Sequence, residues 1–382
     1  MHNIDRLRDC YGCGVCAIVC PKKIIEIRES PEGFYEPIVV SPAHCTDCGL
    51  CLSVCAFNDT KVVAGEASCT PDGFAAWSKI PEIRQEASSG GIGFMLAKYL
   101  IGQGFRACGV RYNPSMGRAE HFIANTVEDY LPSIGSKYIP SYTFNGFSGF
   151  NRKDRFLVIG TPCQIDSLRR WIRKTNIERN FILIDFFCHG VPSLNMWRKY
   201  LQSVPVQIGN ETQIKWRDKT GGWHDSWTMK ITSDNRMFVS SFLKDKDLFY
   251  RFFLGNVCLG KACYKHCKYK MQTSAADIRI GDLWGSAYKD DRKGVSALLA
   301  LTTRGKKIIG SLEDCHIEQW SVSLVLEGQM RKSASKPMIY PLIIRMLKGE
   351  KSLSEIFIYV KAYNFSRLPV RILRKVKSMI IR

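Results

Sequence analysis

Four cysteines fall within eleven residues near the start of the chain, as Cys10-x2-Cys13-x2-Cys16-x3-Cys20, with Pro21 directly after the last. The same spacing returns 35 residues later as Cys45-x2-Cys48-x2-Cys51-x3-Cys55, followed by Ala56 in place of proline. Thiolates so spaced suit an iron–sulfur cubane, because one tight loop can set three sulfurs around one cube. Gly12, Gly14 and Gly49 would let backbone N–H groups approach the cluster sulfides. Disulfides belong mainly to small secreted chains. This chain has 382 residues, and its polar Met1-His2-Asn3 start carries no secretory signal pattern. Structural zinc usually takes two cysteine pairs, not a tight triplet plus a fourth before proline. Clusters imply a reducing compartment, so a cytoplasmic location is expected.

The paired runs resemble a bacterial two-cluster [4Fe–4S] ferredoxin domain. That resemblance implies crossed ligation, in which the fourth cysteine of each run serves the other cluster. One cluster would then sit on Cys10, Cys13, Cys16 and Cys55, and the other on Cys45, Cys48, Cys51 and Cys20.

Three more cysteines stand close together as Cys258-x4-Cys263-x3-Cys267. They suggest a third metal site whose fourth ligand lies outside the run. Cys188 is the first candidate and Cys163 the second; the alternative is a set of isolated thiols. Cys69, Cys108 and Cys315 read as structural. "EASSGGIG" (86–93) precedes a helical pattern, with Ser88 and Ser89 able to cap it. Its glycines could admit a phosphate to backbone N–H groups at the positive end of the helix dipole. An ordinary glycine-rich helix start is the plainer reading. "GTPCQ" (160–164) and "FFCHGVPS" (186–193) each end a strand-like run. Such ends meet at the carboxyl edge of an open α/β sheet, where ligands collect. Cys163 there is a small buried hydrophobe, a cluster ligand or a ligand-contacting thiol, and a lone His189 is more often structural than catalytic.

The elements that must position these residues read as follows. Residues 61–73 are small and polar and predict a linker. "FAAWSK", "FRACGVRYN", "AEHFIANT", "DRFLVIG" and "NFILIDFFC" predict strands. Residues 91–104, "QIDSLRRWIRK" and "LNMWRKYLQSV" predict helices, the first with a glycine stop. Three strand-like runs, "TQIKWRD", "SWTMKITS" and "RMFVSSF", fall in 212–242. Strands alternating with helices argue an α/β domain, with an antiparallel insertion around 210–245.

Length predicts two or more domains, and 45% hydrophobic residues supply an ordinary core. No stretch reaches the ~18 uninterrupted apolar residues of a spanning helix. The formal charge of +20 points to anionic partners. No helix-turn-helix, zinc-finger or RNA-binding signature accompanies it, so no nucleic acid partner is expected. "SRLPVRILRKVKSMIIR" (366–382) has six basic residues and no acidic one. Helical spacing would put Val370, Leu373, Val376 and Ile380 on one stripe, with Arg371, Arg374, Lys375 and Lys377 mostly off it. Such a helix either docks on the protein or lies on an anionic membrane surface as a peripheral contact.

The order Ser-Ser-Gly-Gly, "GSKYIPS" (135–141), "GTPCQ", "CHGVPS" and Cys258…Cys263…Cys267…"ADIRIGDLWG" resembles the coenzyme F420 hydrogenase/dehydrogenase beta-subunit family. The resemblance, with the ferredoxin segment, reaches to about residue 330. It implies an α+β chain: a bacterial-ferredoxin-like domain (1–62), a larger α/β flavin-binding domain with an antiparallel insertion (74–330), and a basic helical tail (331–382). It also implies an FAD- and iron–sulfur-dependent oxidoreductase. Electrons would pass between clusters and FAD, with hydride transfer to or from coenzyme F420 or another unsaturated compound. Ferredoxin or another low-potential carrier would be the partner. The alternative is an electron-transfer subunit that relays to a separate catalytic partner. Carried over residue by residue, Ser89, Gly90 and Gly91 would lie at the FAD phosphates, and Lys137 and Tyr138 near the flavin, where a positive Lys137 would favour its anionic reduced form. Thr161, Pro162, Cys163 and Gln164 would line its pocket, Cys188, Cys258, Cys263 and Cys267 would hold the adjacent cluster, and Asp282 and Trp284 would close the site.

Overall fold

The structure is a computed structural model that describes residues 2–7, 9–65, 68–264 and 267–367. The cysteine-rich segment folds around a hairpin of β1 (Ile25–Glu29) and β2 (Tyr35–Val39). Two short helices, Val15–Val19 and Leu50–Ser53, occupy equivalent places in the two cysteine runs. Each starts behind a left-handed glycine, Gly14 at φ 74° and Gly49 at φ 66°, so the chain turns sharply at the same point of both runs.

The rest is built on a nine-stranded mixed sheet. Its strands in chain order are β3 (Ser68–Ser78), β4 (Arg106–Asn113), β5 (Arg118–Ala124), β6 (Ser141–Tyr142), β7 (Phe156–Ile159) and β8 (Phe181–Phe186). A separate three-stranded antiparallel sheet follows, of β9 (Gln213–Lys215), β10 (Thr228–Ser233) and β11 (Arg236–Ser241). The main sheet is completed by β12 (Ile278–Asp282), β13 (Ser296–Thr302) and β14 (Cys315–Trp320), giving the order β14-β3-β13-β12-β8-β7-β4-β5-β6. The neighbours β12, β8, β7 and β4 are parallel. Their apolar runs, "FLVI" in β7 and "FILI" at the start of β8, fit strands covered on both faces. The insertion instead alternates along β10, as a one-sided sheet should.

Two expectations need correction. Residues 61–73 are not all linker, because β3 begins at Ser68 and pairs with β13 and β14. Small polar residues there are held by long-range partners that local composition does not register. The expected tail, 331–382, also does not stand apart throughout. Helices Tyr340–Lys348 and Leu353–Ser366 bury Ile343, Leu347, Leu353, Ile356 and Val360 in the same core cluster as helix Leu194–Ser203. Residues 368–382, with most of the basic stripe, lie outside the described residues. No helix among those described is long and apolar enough to cross a membrane.

The cysteine-rich segment is locked to the sheet domain by polar contacts at both ends. Lys268 donates to the carbonyls of Ala56, Asp59 and Lys61 at 2.8–2.9 Å. Arg170 pairs with Asp59 at 2.8 Å. At the hairpin, Arg198 grips Glu29, Lys261 pairs with Glu32, and the Ser193 hydroxyl donates to Glu32 O. Gly14 packs so tightly that a Cβ would stand 2.1 Å from Thr143 Oγ1.

Candidate functional site

The parallel strands end together at one edge. β7 runs into Gly160-Thr161-Pro162, where Thr161 and Gln164 form a capping box for helix Pro162–Lys174. β8 runs into Phe187-Cys188-His189, and β12 into Leu283-Trp284. Between these ends lies a cavity of ≈ 490 Å³. Ser89, Gly91, Lys137, Tyr138, Thr161, Cys163, Gln164, Cys188, Asp282 and Trp284 line it, as does His189. Gly90 and Pro162 do not. Gly90 is a packing glycine instead: a Cβ there would meet Ala76 O at 2.5 Å and Ser296 N at 2.9 Å.

The turn before helix Ile92–Gly102 is built differently from a serine-capped start. Its N-cap is Gly91, at φ 87°, with no side-chain cap. Ser88 Oγ accepts from Ser136 N–H at 2.8 Å, and Ser89 Oγ donates to Val295 O at 2.7 Å. Both serines therefore brace neighbouring loops, and the helix N-terminus faces the cavity through Gly91 and Ile92.

Three cations, Lys219 and Arg217 buried and Lys137 half-buried, shape the walls. Lys137 Nζ donates to Pro132, Ile134 and Gly135 carbonyls at 2.9–3.1 Å, and burial pulls the amine down to about 7. It clamps its own loop, which leaves little charge to project into the cavity. Lys219, from the antiparallel insertion, donates to Arg84 O, to Ser89 O at 2.9 Å and to Lys293 O at 2.6 Å. Burial, then the Arg84 cation, pulls it down to about 8. Arg217 is wholly buried between Trp227 and Trp284, 4.5 and 5.0 Å from their ring centres. Its Nη1 donates to Tyr138 Oη and Asp282 Oδ2, both at 3.2 Å, and Nε to Ser226 Oγ at 2.8 Å. Asp282 Oδ1 also accepts from Trp223 Nε1 at 2.9 Å, and Trp223 stacks on Trp284. Arg217 Nη2 is buried and has no hydrogen-bond partner.

The cysteines gather into three groups. Cys20, Cys45, Cys48 and Cys51 surround one small hollow. Cys16 lies within electrostatic reach of Cys13, Cys10 and Cys55; burial first, and these thiols second, hold it well above the ordinary range. Gly12 N–H donates to Cys10 Sγ at 3.1 Å. Cys13 donates to Ser167 Oγ at 3.3 Å, and burial pushes it up to about 11. The third group borders the cavity. Burial pushes Cys188 up to about 12, and Cys263 and Cys267 add to it. Cys163 responds in the same way to Cys188, Cys263 and Cys13. Cys258 is apart: it is fully buried in the hydrophobic core, raised to about 12 by that burial, with no thiol among the described residues coupled to it. Among the described residues no three His, Cys, Asp or Glu converge on a single-ion position. A cubane makes no such demand, since its thiolates bind separate corner irons and ring a volume.

Several site residues were not singled out from sequence. Tyr11, Phe34, Trp227 and Phe253 line the cavity, and Arg217 and Lys219 stand behind its wall. Their one advance signal is the density of Trp216, Trp223 and Trp227 beside Arg217 and Lys219 within the insertion.

Residues 153–319 match the family model for the C-terminal part of the coenzyme F420 hydrogenase/dehydrogenase beta subunit, and residues 73–145 match the model for its N-terminal part. Residues 9–58 match a 4Fe-4S dicluster domain. Among curated proteins, the chain is 28% identical over 189 residues to the F subunit of F(420)H(2) dehydrogenase from Methanosarcina mazei, covering 47% of this chain and 53% of that one. It is 27% identical over 165 residues to the coenzyme F420-dependent sulfite reductase of Methanocaldococcus jannaschii, covering 42% of this chain and 25% of that one. The match thus spans about half of one relative and a quarter of the other. Among solved structures, a chain of the F420-reducing [NiFe] hydrogenase complex from Methanosarcina barkeri aligns with a TM-score of 0.47 and 17% identity, over 75% of this chain and 89% of that chain.

Proposed function

Because the chain belongs to the coenzyme F420 hydrogenase/dehydrogenase beta-subunit family and carries a 4Fe–4S dicluster segment in front of it, we propose that it is an iron–sulfur flavoprotein oxidoreductase exchanging hydride with a deazaflavin of the F420 type. The observation that carries this reading is the serial order of the thiol groups. Cys48, exposed, belongs to the outermost group; Cys16 of the middle group lies within electrostatic reach of Cys51 in the outer one, and Cys163 within reach of Cys188 and Cys263 at the cavity and of Cys13 in the middle group. Electrons entering at the surface would pass inward through three [4Fe–4S] clusters and arrive at the cavity wall.

The cavity fits FAD in two respects. Glycine at the N-terminus of an eleven-residue helix suits a phosphate. The rings of Tyr138, Trp227 and Phe253 offer a surface for a flat ring system, with centroids 5.3–5.4 Å apart. FAD, when bound, joins one-electron carriers to two-electron chemistry. The residues here would hold and orient it: Ser89 and Gly91 at the phosphates, Tyr138 and Asp282 beside the rings, and Lys137 and Lys219 fixing the loops that carry them. Cys163, Cys188, Cys263 and Cys267 would hold the innermost cluster, with Cys163 replacing Cys258 in the set expected from sequence. A low-potential carrier would supply or remove electrons at the Cys48 end.

The test is anaerobic reconstitution of the full chain, with iron and flavin counted. Three clusters require about 12 irons. Cys163→Ser should lower the count by about four and Cys258→Ser should leave it unchanged. The reverse pattern would restore Cys258 to the ligand set. Turnover of F420 by the lone chain with an artificial reductant supports hydride transfer here. A chain that binds FAD yet turns over nothing alone is a relay subunit for a separate catalytic partner.

A further inference from the structure

The excess positive charge of this protein is concentrated at one end. Residues 331–382 contain 13 Lys and Arg against two Asp and Glu, a surplus of 11 in a chain whose whole surplus is 20. None of the eight that fall among the described residues lines the cavity or the hollow between Cys20, Cys45, Cys48 and Cys51. The same segment carries apolar side chains turned to water. Helix Leu353–Ser366 buries Leu353, Ile356 and Val360 on one face. On another face Ile358, Ala362 and Phe365 recur at i, i+4 and i+7, and Ile358 and Phe365 are 62% and 78% exposed. Met338, 87% exposed, stands beside this helix, its amide donating to Tyr363 Oη. Lys361 and Arg367 flank the stripe, resting on Phe357 and Tyr363. Residues 368–382 follow directly and add five basic and no acidic residues.

We propose that this face, Met338 with Ile358, Ala362 and Phe365 and the basic Lys361 and Arg367 beside them, seats the protein on an anionic lipid surface. Exposed aromatic and aliphatic side chains enter the headgroup boundary, while the surrounding ammonium and guanidinium groups meet lipid phosphates. Neither contribution suffices alone: the stripe is short, and charge attraction is screened by salt. Together they give a reversible, peripheral attachment without a spanning segment. A surplus of 11 positive charges over so short a segment favours lipid over a folded acidic protein, whose surface would call for mixed signs in register.

The experiment is vesicle sedimentation of the full chain, using phosphatidylcholine with and without phosphatidylglycerol, at low and high salt. The expected result is binding to the anionic vesicles at low salt, little to the neutral ones, and release at high salt. Ile358→Glu with Phe365→Glu changes only exposed positions and should weaken binding at least about tenfold, with an unchanged circular dichroism spectrum and iron content. A chain ending at Arg367 should also bind more weakly. A full chain that ignores anionic vesicles at low salt overturns the proposal, and so does a double variant that binds as well as the parent. Binding of soluble polyglutamate without binding of vesicles would reassign the face to an acidic protein partner.

Discussion

Replacing Lys219 with methionine probes how the antiparallel insertion governs the cavity. The Nζ group holds the carbonyls of Arg84, Ser89 and Lys293, so it ties the turn before helix Ile92–Gly102 to the loop before β13. Methionine keeps most of the stem and removes the donor. A buried carbonyl left without a donor costs about 1–3 kcal/mol, so the three together cost on the order of 5 kcal/mol. Against that, the variant is spared the cost of burying an amine. Burial pulls Lys219 down to about 8, against an ordinary lysine value near 10.4, a relief on the order of 3 kcal/mol at neutral pH. The two effects largely cancel at pH 7, leaving the loops of Lys219→Met looser by about 1–2 kcal/mol. The balance shifts with pH. Between about 8 and 10.4 the opened loops bind more protons than the closed ones, so closure strengthens as pH rises. By pH 9.5 the parent has gained about 2 kcal/mol that the variant cannot gain. Hydrogen exchange over residues 84–91 and 291–294, compared between parent and variant at pH 7 and 9.5, reads this directly. The difference should be modest at pH 7 and larger at 9.5. An equal difference at both pH values would show that the amine is not held below its ordinary range, and no difference at either would show that it clamps nothing.

Gly91→Val places a β-branched residue at φ 87°, with Ile83 O already 3.3 Å from an added Cβ; a cost of about 2 kcal/mol or more should fall on the turn, and flavin affinity measured by fluorescence should drop at least about tenfold. Unchanged affinity would move the phosphate site elsewhere. Lys268→Met leaves the carbonyls of Ala56, Asp59 and Lys61 without their shared donor, so limited proteolysis should cut faster near residues 56–65 while the sheet domain resists.

The eight cysteines of the two runs were legible because a cluster is held by local spacing, and spacing survives in one dimension. The parallel strands were legible for a similar reason, since runs such as "FLVI" are apolar without interruption. What sequence missed was decided by long-range pairing. Pro71 and Gly73 give the start of β3 the texture of a loop, yet β13 pairs with it from Ser68, β14 joins at Gly73, and the two make it a strand. Cys163, the second candidate for the third group, stands a hundred residues from Cys263, and only the shared edge of β7 and β8 brings it to Cys188. Lys137 reads as charge offered to a ligand, whereas its amine is spent on its own loop. Arg217 and Lys219 give no signal of their own, since a basic residue in a hairpin insertion is ordinarily a solvated one.

The cavity wall has two authors. Cys10, Tyr11 and Phe34, from the cysteine-rich segment, line the same space as Thr161, Asp282 and Trp284 from the sheet domain. That segment is therefore part of the chamber, and on the proposed function it is the supply line too. On that function, a chain that traded its first 60 residues for those of a relative would change the outline of the space a substrate must enter, along with the carrier that feeds it. Choice of electron source and choice of substrate would then be written partly in the same residues, and neither could drift far without the other.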